Sequence, residues 1–184
     1  MTLVYVRSYN PAGPGVSVSG QTGSLYADQP FGTTLLPNGA PASIATTADH
    51  LSWGFGWRPI PQLAFTGDVG VAFAHAQEDN LAYGVSKGDG ATLFEWNFAI
   101  ALPDLFKKGN VGSLMVGNPY RVVSQGSGTL KPEGDTAWHI EAAYRHNINN
   151  NLSLQPGFLV ILNPENNNNN PTIWVWQLKT QFMF

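Results

Sequence analysis

Large apolar residues alternate with small or polar residues in steps of two along most of this chain. Between residues 50 and 57, Leu51, Trp53, Phe55 and Trp57 share one parity, and small or polar residues stand between them. Successive side chains of a β-strand point to opposite faces, so this period predicts strands with one apolar and one polar face. Helical periodicity is nearly absent. The pattern therefore predicts an all-β fold.

The alternation recurs and predicts about eight strands. They are expected near residues 2–9, 50–57, 62–76, 93–102, 111–118, 137–145, 152–162 and 172–184, with one helical turn at 103–108. Most approach or exceed the ~9–11 residues that a tilted strand needs to cross a membrane.

The predicted connections alternate between short and long. The short ones are residues 58–61, 104–110 and 147–151, and the long ones are 10–49, 77–90, 119–135 and 163–171. Bacterial outer-membrane barrels have short periplasmic turns and longer extracellular loops. The spacing therefore predicts an antiparallel transmembrane β-barrel.

The composition supports membrane-spanning strands. Only 11% of the residues are charged, while 43% are hydrophobic and 12% are aromatic. Soluble domains carry roughly a quarter charged residues, and disordered chains have few aromatics. The chain has no cysteine, which excludes a disulfide scaffold, and its net charge of -3 gives no support to a nucleic-acid partner.

The aromatic residues help to separate this interpretation from its alternative, a soluble β-sandwich or lipocalin-like barrel. All six tryptophans fall on apolar faces, and a small core can hardly bury so many indoles with their N–H groups satisfied. We expect two belts at the lipid–water boundaries. The outer belt would contain Trp96, Trp138, Trp174 and Trp176, and the periplasmic belt Trp57, Phe65, Tyr144, Phe182 and Phe184.

The charged residues inside strands fall on the other face. These predicted pore-lining residues are Asp68, Glu95, His139, Glu141, Arg145 and Lys179. An Arg or Lys facing lipid at the midplane costs roughly 2–4 kcal/mol. Glu141 and Arg145 share a face, and two interpretations stay open: a charged constriction that selects solutes, or a solvated ion pair on the wall.

No pattern in the chain predicts catalysis. The four histidines lack metal-ligand spacing to one another, and no cysteine supplements them. Asp49, His50 and Ser52 are close in sequence, but consecutive strand residues point to opposite faces and do not converge as a triad. We expect no enzymatic activity, no metal and no cofactor.

Three stretches of the chain carry a family likeness: the turn and strand at residues 104–119, the segment 154–170 with its asparagine-rich loop, and the terminal strand 172–184. They resemble the cyanobacterial branch of the OprB-type carbohydrate-selective porins. The likeness covers nearly the whole chain but only the C-terminal half of the family pattern. It implies that residues 1–184 are the C-terminal portion of one β-barrel porin domain, about half of a barrel of about 16 strands.

The resemblance also implies a location and partners. In such porins the alternating residues before a C-terminal aromatic look like the signal read by the outer-membrane assembly machinery, and Leu178, Thr180, Phe182 and Phe184 occupy those positions. We expect the protein to be integrated in a bacterial outer membrane. Its further partners would be membrane lipids and small hydrophilic solutes, and a homotrimer is one possible assembly. Because no signal peptide follows Met1, a fragment or truncated reading frame is expected.

The expected function is passive diffusion of small hydrophilic solutes across the outer membrane. The family name implies sugars, but the polar face carries no aromatic track for sugar stacking, so inorganic ions are equally open. The alternative is a structural barrel that links the outer membrane to the cell wall.

Overall fold

The main feature of the fold is one large antiparallel sheet. A computed structural model describes residues 1–13, 17–20, 22–35 and 39–183. The elements are β1 (Thr2–Asn10), α1 (Leu25–Asp28), β2 (Thr33–Leu35), β3 (Pro41–Ser43), β4 (Thr46–Ile60), β5 (Leu63–Ala76), β6 (Gly90–Pro103), β7 (Val111–Gln125), β8 (Trp138–Asn147), β9 (Leu152–Leu162), a 3-10 turn (Pro164–Asn166) and β10 (Ile173–Phe182). The all-β expectation is confirmed. No helix within the described ranges is long and apolar enough to cross a membrane.

Eight strands pair in the order β1-β4-β5-β6-β7-β8-β9-β10, and β2 and β3 form a separate small hairpin. The expected number of eight strands is confirmed for the main sheet. In the described part of the chain β1 and β10 are its two edges and do not pair with each other. The sheet is therefore open, as expected for part of a larger barrel wall.

The register separates the two faces that the alternation predicts. Across β4 and β5, Leu51 lies opposite Val71, and Trp57 lies opposite Phe65. We call the face that carries these residues the aromatic face. The other face carries Ala48, Ala72, Ala74, Leu93 and Val122, and we call it the covered face because a loop packs on it.

That loop is the first long connection, residues 11–45, and it forms the core with the covered face. Val18, Phe31 and Ile44 from the loop are buried against the alanines of β4 and β5. Phe31 is only 1% exposed. Burial of apolar area contributes about 25 cal/mol per Å², and alanines leave room for the loop to approach the sheet.

The observed C-terminal end of β7 differs from the sequence prediction. The sequence predicts a strand end at Asn118 and a loop from Pro119 to residue 135, but β7 continues to Gln125. The register between β6 and β7 shifts between Phe94 and Trp96, opposite Pro119. A bulge leaves a residue unpaired, and the missing N–H of a proline is tolerated there.

The connection at residues 104–110 also differs from the sequence prediction. The expected helical turn is absent, because Asp104 and Phe106 have φ of 60° and 63°. These values lie in the left-handed region, which a right-handed helix cannot include. At the other end of the chain, the terminal strand begins at Ile173, and Phe184 lies outside the described residues.

Candidate functional site

The six predicted pore-lining residues lie on one face of the sheet. The strand registers place Asp68, Glu95, His139, Glu141, Arg145 and Lys179 on the covered face. Asp68 is opposite Asn97, Glu95 is opposite Gly70, and Glu141 is opposite Met115. Their assignment to a pore stays a prediction.

A polar cluster forms where β4, β5, β6 and β7 meet. It contains His50, Asp68, Glu95, Asn97 and Tyr120. The Asn97 side chain donates a hydrogen bond to Asp68 Oδ1. The His50 and Tyr120 rings meet edge to face, with centroids 6.0 Å apart and planes at 77°. Four of the five are half-buried and Tyr120 is buried, so the cluster is partly shielded from solvent.

Gly70 provides the space in which two members of the polar cluster converge. A Cβ at this position would lie 2.7 Å from Glu95 Oε1 and 2.9 Å from Tyr120 Oη. These separations are too short for a carbon atom, so any larger residue would displace the carboxylate or the phenol. The glycine therefore sets the position of Glu95 on the covered face.

Tyr120 is the functional candidate that the sequence interpretation missed. The sequence predicts a loop that begins at Pro119, and it assigns no face of the sheet to the residues after it. Val122, two positions further, is fully buried on the covered face together with Tyr120. The bulge shifts the phase of the alternation by one residue, since Gly117 before it and Tyr120 after it share the covered face, so the pattern before the proline carries no signal for Tyr120.

The first loop is held down by contacts from distant parts of the chain. Asn80 Nδ2 donates to the Phe31 carbonyl at 3.0 Å, and Gln125 Nε2 donates to the Pro30 carbonyl at 2.6 Å. At the far side, the Leu25 N–H donates to Glu165 Oε2 at 2.6 Å. The loop therefore crosses the covered face from β4 to the connection between β9 and β10.

The connection that holds Glu165 is itself well supported. Asn166 is buried, accepts the Ala137 N–H at 2.7 Å and donates to Glu133 Oε1 at 2.9 Å. Burial raises the pKa of the nearby Tyr26 phenol in α1, and the negative charge of Glu133 acts in the same direction. Tyr26 therefore stays neutral at ordinary pH.

Two cavities border the covered face below the first loop. One of about 350 Å³ is open to solvent and is lined by Gly54, Thr66, Asp68 and Asn97 among others. A second of about 140 Å³ includes Arg145 in its wall. Polar and charged groups therefore line both cavities.

The pairing of Glu141 with Arg145 is not observed in the described part of the chain. Four steps along β8 place the Cα atoms of the two residues about 13 Å apart. An ion pair does form between Arg7 and Asp49, at 3.6 Å. Both interpretations of Glu141 and Arg145, a charged constriction and a solvated pair on the wall, stay predictions.

The aromatic face carries rings in contact. Trp57 stacks on Phe65 at 5.7 Å, and the Trp96 and Trp138 rings meet edge to face at 5.8 Å. The other predicted belt residues that the structure describes, Tyr144, Trp174, Trp176 and Phe182, share this face. The predicted assembly residues Leu178 and Thr180 do as well, while Phe184 is outside the described residues. Their membrane and assembly roles stay predictions.

Comparison with known proteins gives one family. The family profile described as "Carbohydrate-selective porin, OprB family" matches residues 72–184. An uncharacterized protein of Synechocystis sp. is 36% identical over 194 residues, which covers 99% of this chain and 33% of the relative. An uncharacterized protein of Nostoc sp. is 27% identical over 189 residues, which covers 100% of this chain and 29% of the relative.

These relatives are much longer than the present sequence. The chain spans about one third of the length of the curated relatives it matches. No solved structure matches the chain.

Proposed function

Because the chain belongs to the OprB family of carbohydrate-selective porins, we propose that it forms part of the wall of an outer-membrane diffusion channel. The covered face borders the water-filled lumen, and the aromatic face borders lipid. Small hydrophilic solutes pass without a cofactor, driven by their concentration gradient. The family is one of channels rather than of enzymes.

A lumen of useful width needs more strands than the described sheet contains. Eight strands close into a barrel that its own side chains fill, whereas 16 leave an aqueous channel. The curated relatives are about three times as long as this chain, which is ample length for a second set of strands. We propose a barrel of about 16 strands, of which this chain contributes eight.

The observation that carries the proposal is the first loop on the covered face. The loop reaches from β4 to Glu165 and packs on the strands just above the polar cluster. A loop in this place narrows the lumen, so that a solute passes close to Asp68 and Glu95. Wall charges at a constriction set which solutes pass.

The chemistry of the polar cluster favours cations and hydroxyl-rich solutes. Its two carboxylates, Asp68 and Glu95, lie within ion-pair distance of no Lys or Arg among the described residues. Carboxylates attract cations and accept hydrogen bonds from sugar hydroxyls. The ring of Tyr120 is buried at 7% exposure and is closed to stacking, so hydrogen bonds would hold a sugar here.

The proposal is tested by the conductance of the purified protein that carries this chain in a planar bilayer. We expect ohmic channels with a reversal potential that indicates cation preference, and swelling of liposomes in solutions of small sugars. A protein that inserts without opening a solute-permeable channel would contradict the proposal. That result would favour the structural barrel that links the membrane to the cell wall.

A further inference from the structure

The turn between β6 and β7, residues 104–110, holds an exposed aromatic ring in a fixed position. Phe106 is 89% exposed and has a φ of 63°. Left-handed backbone costs a residue with a Cβ about 1–2 kcal/mol. The turn is closed around it by the Asp104 N–H, which donates to the Asn110 carbonyl at 2.8 Å. The Gly109 N–H donates to Asp104 Oδ1 at 2.7 Å.

The neighbouring turn braces this one from the side. Asn110 is fully buried and donates to Tyr144 Oη at 2.7 Å. The Asn147 N–H donates to Asn110 Oδ1 at 2.9 Å, and Asn147 Nδ2 donates to the Gly109 carbonyl at 2.7 Å. The backbone that presents Phe106 is therefore held in place on three sides.

An apolar groove of about 340 Å³ lies on the aromatic face beside the turn. Its walls include Ile100, Leu102, Leu105, Phe106, Leu114 and Tyr144. Gly112 forms the floor, and a Cβ there would lie 2.5 Å from Leu105 Cδ2. Leu114 is 48% exposed in the groove. The size and lining suit a hydrocarbon chain.

Two cations stand at the end of the groove. Lys107 and Lys108 are exposed, and Lys107 Nζ donates to the Asn147 carbonyl at 3.2 Å. The other charge in the turn is Asp104, whose carboxylate accepts the Gly109 N–H inside the turn. Neither lysine has a carboxylate within 4.0 Å among the described residues. The end of the groove beside Lys107 and Lys108 is therefore positively charged.

Charged residues are also distributed unevenly between the two ends of the strands. The long connections contain seven carboxylates, namely Asp28, Glu78, Asp79, Asp89, Glu133, Asp135 and Glu165, against two lysines, Lys87 and Lys131. The short connections contain Lys107 and Lys108 against Asp104. An anionic ligand is thus favoured at the turn end and repelled at the loop end.

We propose that the turn 104–110 and its groove bind an anionic phospholipid of the leaflet at the turn end of the barrel. One acyl chain lies in the groove between Leu102 and Leu114. Phe106 inserts beside it at the level of the headgroups, where aromatic rings are favoured. Lys107 and Lys108 face the phosphate. The inference rests on the proposed function, because it requires the aromatic face to border lipid.

The test compares lipid retention by the full protein released from nanodiscs of phosphatidylcholine and phosphatidylglycerol, measured by native mass spectrometry. The Lys107→Gln/Lys108→Gln variant removes both cations. The Lys87→Gln/Lys131→Gln variant is the matched control, because it removes two exposed lysines at the loop end. We expect the first variant to lower retention of phosphatidylglycerol by about 25-fold, since each of the two cations contributes about fivefold near an anionic lipid surface. The control should match the parent protein.

A second variant addresses the groove itself. Gly112→Ala forces Leu105 into the groove and should lower phosphatidylglycerol retention without any change in charge. Equal retention by the parent and the Lys107→Gln/Lys108→Gln variant would overturn the inference, and so would an equal loss in the loop-end control. A protein that conducts solutes but shows no preference for phosphatidylglycerol leaves the channel proposal intact and overturns only the lipid site. A protein that does not insert overturns both.

Discussion

The carboxylate of Glu165 accepts a hydrogen bond from the backbone N–H of Leu25, which is 140 residues earlier in the chain, at 2.6 Å. Leu25 is the first residue of α1, where backbone N–H groups have no partner within the helix. The contact ties the first loop to the connection between β9 and β10. A loop that is anchored at both sides of the sheet keeps its position, so the width of the lumen beside it stays constant.

Glu165→Ala should release this side of the first loop. We expect a larger or more strongly fluctuating single-channel conductance, because the loop loses its contact with the β9–β10 connection and keeps only those with Asn80, Gln125 and the core. Single-channel recording in planar bilayers measures the change. Asp79→Asn is the control: it also removes a loop-end charge, but Asp79 accepts a hydrogen bond from the Lys87 N–H of its own loop. Identical traces from the two variants would contradict the anchoring role.

Gly70→Ala should displace Glu95 and Tyr120 from each other. Overpacking of this kind typically costs about 1–3 kcal/mol of stability. The folded protein is detected on electrophoresis as a compact, heat-modifiable form. We expect the Gly70→Ala variant to lose this form at a lower temperature than the parent protein. Gly56→Ala is the control, because a Cβ at Gly56 meets only Thr66 Cγ2, at 3.9 Å. A Gly70→Ala barrel as stable as the Gly56→Ala barrel would show that the polar cluster is less tightly packed than described.

Neutralising the two carboxylates of the polar cluster should weaken cation preference. For Asp68→Asn/Glu95→Gln we expect the reversal potential in a salt gradient to move toward zero, most strongly at low ionic strength where charges are least screened. Asp89→Asn, which changes a carboxylate that caps a turn in a long loop, should leave the potential unchanged. A cation preference that survives the double substitution would place the selective charges elsewhere.

The terminal strand should direct assembly through alternate positions. Phe182→Ser should sharply reduce the amount of folded protein in the outer membrane, because Phe182 occupies a position of the expected C-terminal signal. Met183→Ser changes the intervening position and should have a small effect. Membrane fractionation followed by heat-modifiability measures both. Equal losses from the two substitutions would refute a signal based on alternation.

The two faces could be predicted from the sequence because strand alternation is a local property. Trp53 and Asp68 are assigned to faces by their immediate neighbours, and the register only aligns those neighbours across strands. The extension of β7 could not be predicted, since Pro119 is tolerated inside the strand only because β7 bulges there, with Pro119 and Tyr120 opposite the single residue Glu95 of β6.

The packing of the first loop on the covered face could not be predicted for a different reason. Phe31 and Ile44 are isolated apolar residues in a segment rich in Gly, Pro and Thr, and they show no period. Their partners lie far along the chain: Asn80, which binds the Phe31 carbonyl, is 49 residues away. Left-handed backbone at Phe106 is equally invisible, because phenylalanine has no preference for it.

In the inserted protein the covered face should contact water and the aromatic face should contact lipid. The chain has no cysteine, so single cysteines can report on each face. Thr66→Cys places a thiol on the covered face beside the open cavity, and Leu51→Cys places one on the aromatic face, where Leu51 is 42% exposed. In outer membranes, a water-soluble maleimide should label Thr66→Cys and spare Leu51→Cys, while both are labelled after unfolding. Labelling of Leu51→Cys in the folded, membrane-inserted protein, or protection of Thr66→Cys, would contradict the account.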